Sequence, residues 1–297
     1  MKVDNRFATK IEDIEEIPKP FRRQLRKHVT PDERIYFLAY APAYTSVEGG
    51  RLPATVLVVA DQRWVIVEDE ADGSSRVSEA AFEDTLLLEL TEVLLFGRLK
   101  IDFASNGETR SSAAQFNRAM NWLYYEAVQV VLNGIEGLSS FAQHFVRRRS
   151  PGSQPSDWPL KFKNEILKVI PQGRQLLSAA AWPAVSAGFR RELAPAAALA
   201  VTETEMILIS DPAAGHWFVA QANNRYGCVV TYFPLARLAR HMIVHHEQFS
   251  VLELEVRASH GGEKFQIIFP SSHESVVSDL MDLTFTATHF GVRFPKL

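Results

Sequence analysis

Two stretches of this chain are variants of one pattern, and that repetition constrains the fold more than any other feature. Ala54 to Val67 reads ATVLVVADQRWVIV, and Ala196 to Ile209 reads AAALAVTETEMILI. Each is an apolar run, a polar break of about three residues and a second apolar run, which is how a tight β-hairpin inside a packed sheet reads. The flanking residues keep step: Pro159 and Phe162 stand 141 positions after Pro18 and Phe21, while Pro195 and Val201 stand 142 after Pro53 and Val59. A near-constant offset over that distance marks a tandem duplication. Two domains are therefore expected, 1–150 and 151–297, meeting in the Arg-, Ser- and Pro-rich stretch 147–157. The 297 residues suit two domains of roughly 130 to 150 better than one.

Within each copy the periodicity orders the elements. Ile17 to Val29 and Trp158 to Ile170 read as short leading helices that open with prolines and stop before Pro31 and Pro171. Glu33 to Thr45 reads as a first strand interrupted near Pro42, with a turn at Glu48-Gly49-Gly50. After the hairpin, Glu68 to Ser75 is a charged loop and Leu86 to Phe96 is sheet material. Leu99 to Phe103 alternates with period two and runs into Asn106-Gly107, a pair suited to a tight turn. Spacings of three and four from Phe116 to Val131 predict a helix over 113–133 with Gly134 as its stop, and 138–149 a further short helix. In the second copy the offset reaches 154 between Gly107 and Gly261, which places an insertion within 213–226. A closing helix is predicted over 271–286, with Ser271 and Glu274 as a capping box.

The strand–small–acidic–any–charged–strand pattern of Val59-Ala60-Asp61-Gln62-Arg63-Trp64 and Val201-Thr202-Glu203-Thr204-Glu205-Met206 resembles the second and third strands of bacterial pleckstrin-homology (PH-like) domains. The resemblance covers about a hundred residues in each copy. It implies an α+β fold of two tandem PH-like domains, each a bent antiparallel sheet or partly open barrel of about seven strands capped by a C-terminal helix. Independently, a run of short strands followed by one helix argues for antiparallel order, because a parallel sheet needs a crossover helix after nearly every strand. The hairpin arginine of the pattern is present as Arg63 and replaced by Glu205, which argues against one ligand shared by both copies.

Composition and motifs speak against most chemistry. Formal charge is −3 and evenly spread, with 19 basic and 22 acidic residues up to Ser150 and 13 of each after it, so no global field favours nucleic acid. The one cysteine, Cys228, precludes an intrachain disulfide or a multi-cysteine metal cage and suits a reducing, cytoplasmic setting. No Gly-x-Ser-x-Gly elbow, P-loop or Gly-x-Gly-x-x-Gly run is present. His241, His245 and His246 are the best candidate for an enzyme site, a metal-dependent hydrolase, and their apolar setting reads as ordinary strand. Among Trp122, Tyr124 and Tyr125, two are expected in the core and one over the joint between copies.

Basic side chains cluster twice, as Arg22, Arg23, Arg26 and Lys27 on the leading helix and as Arg147, Arg148 and Arg149 in the linker. The helical set stacks at i, i+4 into a positive stripe able to meet an acidic partner or anionic headgroups. Phosphoinositide binding through the first strand-to-strand loop is disfavoured, since Arg51 there stands beside Glu48 and Arg190 and Arg191 are answered by Glu192. The sequence points to a non-enzymatic, cofactor-free scaffold that binds a protein partner or its own kind through sheet edges. Peripheral membrane attachment through the basic clusters is the alternative.

Overall fold

The computed structural model describes residues 7–45, 51–70, 72–137, 158–187, 191–212 and 227–290. The fold is α+β, mostly antiparallel sheet with few helices, and the sheets do not close into a barrel among the described residues. The chain divides into two compact units, residues 1–143 with 258–261 and residues 144–257 with 262–297. The predicted linker, the short helix over 138–149, the insertion within 213–226 and Arg147, Arg148 and Arg149 lie outside the described residues.

The first unit runs β1 (Thr9–Lys10), α1 (Lys19–His28), β2 (Ile35–Ala41), β3 (Tyr44–Thr45), β4 (Arg51–Leu52), β5 (Thr55–Ala60), β6 (Arg63–Asp69), β7 (Ser75–Ala81), β8 (Thr85–Val93), β9 (Phe96–Ser105), β10 (Glu108–Asn117) and α2 (Asn121–Ile135). Strands β1-β2-β5-β6-β7 form one antiparallel sheet, and β8, β9 and β10 pair antiparallel in succession. Helix α1 lays Phe21 and Leu25 on one face of the first sheet, against Leu38, Tyr40, Val56, Val58, Val65 and Val67. Strand β10 packs across β2, β5 and β6, and Trp64 of β6 meets Phe103 of β9 edge-on at 5.1 Å. A hairpin covered on both faces has no solvent side, so β5 is buried at every position, and apolar at all but Thr55, rather than alternating.

The second unit repeats the order: α3 (Leu160–Val169), β11 (Leu176–Trp182), β12 (Val185–Ala187), β13 (Arg191–Ala194), β14 (Ala197–Thr202), β15 (Glu205–Ser210), β16 (Gly227–Pro234), β17 (Leu238–His245), β18 (Phe249–Ala258), β19 (Gly261–Pro270) and α4 (Glu274–Phe290). Strands β11-β14-β15-β16 pair in the order of β2-β5-β6-β7, and β17-β18-β19 in the order of β8-β9-β10. Strand β14 is again buried throughout, and α3 packs on β14 and β15.

Individual tethers recur too. Asp61 accepts a hydrogen bond from the Arg34 amide at 3.0 Å, and Glu203 accepts one from the Gln175 amide at 2.7 Å. Asp69 N–H donates to the Ala54 carbonyl as Asp211 N–H donates to that of Ala196, and Phe82 to Gln62 as Leu235 to Thr204. Arg63 holds the Glu33 carboxylate bidentately at 2.8 and 3.1 Å. At the matching positions the charges are exchanged: Arg174 replaces Glu33, Glu205 replaces Arg63, and the two lie 3.5 Å apart. Glu205 is fully buried and also accepts from the Thr202 hydroxyl at 2.6 Å. The departure at Glu205 is therefore half of a reversed ion pair.

Several boundaries differ from expectation. The pattern over 113–133 divides, because β10 continues to Asn117 and α2 starts at Asn121. Phe116 belongs to the strand and stacks on Tyr124 of the helix at 3.6 Å, which is how a strand residue came to fit the helical spacing. Gly134 lies inside α2, and the chain leaves the helix at Gly137, whose φ is +66°. Beyond the insertion the offset is 153, from Thr85 to Leu238 and from Glu108 to Gly261, so Gly107 corresponds to His260. The capping box at Ser271 does not form. Ser271 donates to the His246 carbonyl at 3.3 Å, and Glu274 is engaged by Ser250 and His245.

Packing at Gly134 and the two ion pairs set the expected cost of substitution at each. A Cβ at Gly134 would lie 2.4 Å from the Phe82 ring, so Gly134→Ala is expected to destabilise by about 1–3 kcal/mol despite its better helix propensity, read from denaturant unfolding. Arg174→Met strands a buried carboxylate and is expected to cost about 3 kcal/mol. Arg63→Met leaves a more accessible partner and costs about 1 kcal/mol. The exchange Glu33→Arg with Arg63→Glu should recover most of what Glu33→Arg alone loses.

Candidate functional site

Several members of the polar clusters are exposed but have partners within the chain. On α1, Arg22 donates to Glu15 at 2.8 Å and to the Ile17 carbonyl at 3.0 Å, and Arg26 donates to the same Glu15 carboxylate. Lys27 reaches Gln24 at 3.0 Å, and Arg23 and Lys27 are exposed. Two of the four cations of the predicted stripe thus share a carboxylate from the segment before the helix, which weakens its outward field.

The predicted histidine group is dispersed. His241 packs on the Phe285 ring, His246 stacks on Phe249, both with centroids 4.5 Å apart, and His245 contacts Glu274 at 2.6 Å. Among the described residues no group of three or more His, Cys, Asp or Glu side chains is placed to hold a metal ion. Cys228 is buried, with Sγ 3.9 Å from a Glu165 oxygen. Tyr124 is buried, burial pushing its hydroxyl pKa far up, while Trp122 is 53% exposed. No helix among the described residues is long and apolar enough to cross a membrane.

A cleft of about 820 Å³ opens in the first unit beside the β5–β6 turn, with Asp32, Glu33, Asp61, Arg63 and Glu79 on its wall. Arg63 spans Glu33 and, at 3.8 Å, Glu79, and Glu79 also lies 3.1 Å from His28. The Glu33 carboxylate raises the guanidinium pKa further above its usual value. Arg63, singled out by its place in the repeated pattern, is thus a clamp between strands rather than a free reader of ligand.

Glu79 leads to the more informative feature, the outer edge of β7. This strand ends the first sheet and pairs only with β6, over Arg63↔Ala81 to Asp69↔Ser75. No residue of β7 is fully buried, whereas every residue of its counterpart β16 is. The reverse holds for the next pair: β8 is buried except at Glu89, and its counterpart β17 exposes Ala239, Arg240, Met242 and His245. β17 ends its sheet and pairs only with β18. Among the other sheet ends, β1 has two residues, α4 packs along β11 and β10 lies over the first sheet, while β19, ten residues long and mostly accessible, ends the sheet of β17 on its other side. An open strand edge presents a row of backbone donors and acceptors to any chain able to extend the sheet.

Sequence reasoning found β17 only as the site of the histidines and passed over β7. Its sequence, SRVSEAA, has neither an apolar run nor a clear alternation. The signal available was the repeat, since the strand equivalent to GCVVTYFP had to lie in that interval. No protein-family model matches the chain, and none of the curated proteins matches it.

His241 gives a pH test of the β17 environment. Burial lowers its pKa below 6.5, with Asp282 opposing. The unfolded chain therefore takes up a proton first, and stability is lost as pH falls below about 6.5. His241→Gln should flatten that decline, measured as the urea midpoint between about pH 7 and pH 5.5.

Proposed function

We propose that this chain is a non-enzymatic interaction protein made of two PH-like domains, and that it takes a protein partner by strand addition at its open sheet edges. The reading of each repeat as a PH-like domain is supported by the shared order of leading helix, four-strand sheet, three-strand set and closing helix. It is also supported by the packing of α2 on β2 and β5 and of α4 on β11. The observation that carries the functional reading is the contrast in composition between equivalent strands: β7 (SRVSEAA) and β17 (LARHMIVH) end their sheets and carry polar or charged side chains, while their counterparts β16 (GCVVTYFP) and β8 (TLLLELTEV) are largely apolar. In strand addition the backbone supplies affinity and alternate side chains supply selectivity, without a pocket or a metal.

Membrane attachment through α1 draws less support, because Glu15 occupies Arg22 and Arg26. Capture from native lysate followed by mass spectrometry separates the two readings. Glu70→Arg with Glu79→Arg, or Arg240→Glu with Met242→Glu, is expected to lose partners that the wild type retains. Arg23→Glu with Lys27→Glu is expected to keep them and to leave vesicle flotation unchanged. Partners retained by both edge variants, or lost only by the α1 variant together with flotation on anionic vesicles, would reject the proposal.

A further inference from the structure

Resting on that reading, we infer that the partner at these edges is a second copy of this chain, with β17 of one molecule added to β7 of the next. The charges of the two edges are complementary. The stretch 68–79, which leads into and forms most of β7, carries Glu68, Asp69, Glu70, Asp72 and Glu79 against Arg76 alone. The stretch 235–246, containing β17, carries the fixed positive charges of Arg237 and Arg240, three histidines that are not counted as charged at pH 7, and no carboxylate before Glu247. Acids beside both edges have partners within the chain: Glu253 accepts from Gln266 at 2.9 Å and Glu255 from Arg257 at 2.6 Å. Glu68 and Glu70 share Arg76, and Glu79 lies beside Arg63 and His28, so it is the net excess of acid in 68–79 that counts. Asp72 and Glu79 are exposed on the acidic edge, and Arg240 on the basic one.

Length and shape agree with charge. β7 has seven residues and β17 eight, so one can pair along the whole of the other. Met242, 46% exposed, gives the basic edge an apolar contact that is otherwise left in water. Pairing β7 with β7, or β17 with β17, would bring like charges face to face and is disfavoured. The contact therefore joins unlike surfaces: made reciprocally by two molecules it closes a two-fold dimer, and made once per molecule in the same sense it leads to rings or open chains. A single added strand buries less than about 1,200 Å², the range of weak, transient complexes, so association belongs at micromolar concentrations and above and weakens with salt.

Sedimentation velocity of the full chain between about 1 and 300 µM tests this. The average mass is expected to rise above that of the monomer with concentration and to fall back in about 0.5 M salt. Glu70→Arg with Glu79→Arg makes both edges basic, and Arg240→Glu with Met242→Glu makes both acidic. Each variant alone should associate at least about tenfold more weakly, while an equimolar mixture, or all four changes in one chain, should restore association. Hydrogen exchange of the wild type needs no variant: protection should rise with concentration over 75–81 and 238–245. A wild type that stays monomeric, or a dimer that either variant still forms alone, overturns the inference. If the chain is monomeric yet edge variants lose captured partners, this inference fails and the strand-addition reading stands. If neither effect appears, both fail.

Discussion

Each repeat depends on a central hairpin buried on both faces. Strands β5 and β6, and β14 and β15, receive a helix on one side and in the first unit β10 on the other, so they carry almost no polar side chain to fix their register. A run of valines and leucines specifies burial but not alignment, since a one-residue slip exchanges one apolar face for another. Alignment is set instead at the hairpin turn. There a carboxylate accepts from the first strand's backbone, and an ion pair joins that strand's entry to the second strand. Polar groups at the rim thus fix what the apolar interior leaves free.

This division explains what the sequence disclosed. The hairpins, leading helices, α4 and antiparallel order were legible because each is an apolar run bounded by turn or proline signals. The two-copy plan was legible because offsets survive sequence divergence. Strand β7 was not, since a strand at the edge of a sheet needs no apolar face and SRVSEAA resembles a loop. The start of α2 was displaced because Phe116 stacks on Tyr124 across the strand–helix junction, and two contiguous elements read as one period. The role of Arg63 was hidden because its partner, Glu33, lies thirty residues upstream, and only the reversed pair in the second copy exposes the relation.

The repeats also show how one architecture is used asymmetrically. Positions that are apolar in β16 are polar in β7, and positions buried in β8 are exposed in β17. The core residues of the two copies changed little in character, whereas their edges diverged. Function in such a protein is expected where the copies differ, because the shared features are those the fold itself requires.

The opposite polarity of the two ion pairs bears on how the chain avoids tangling with itself. Duplicated neighbours risk exchanging equivalent strands while folding, a characteristic failure of repeated domains. Were β2 to seat against the wrong hairpin, Glu33 would face Glu205, and the converse error would set Arg174 against Arg63. Like charges brought together there repel, so the reversed pairs disfavour either mismatched seating. The reversal works as a lock and key between otherwise interchangeable halves.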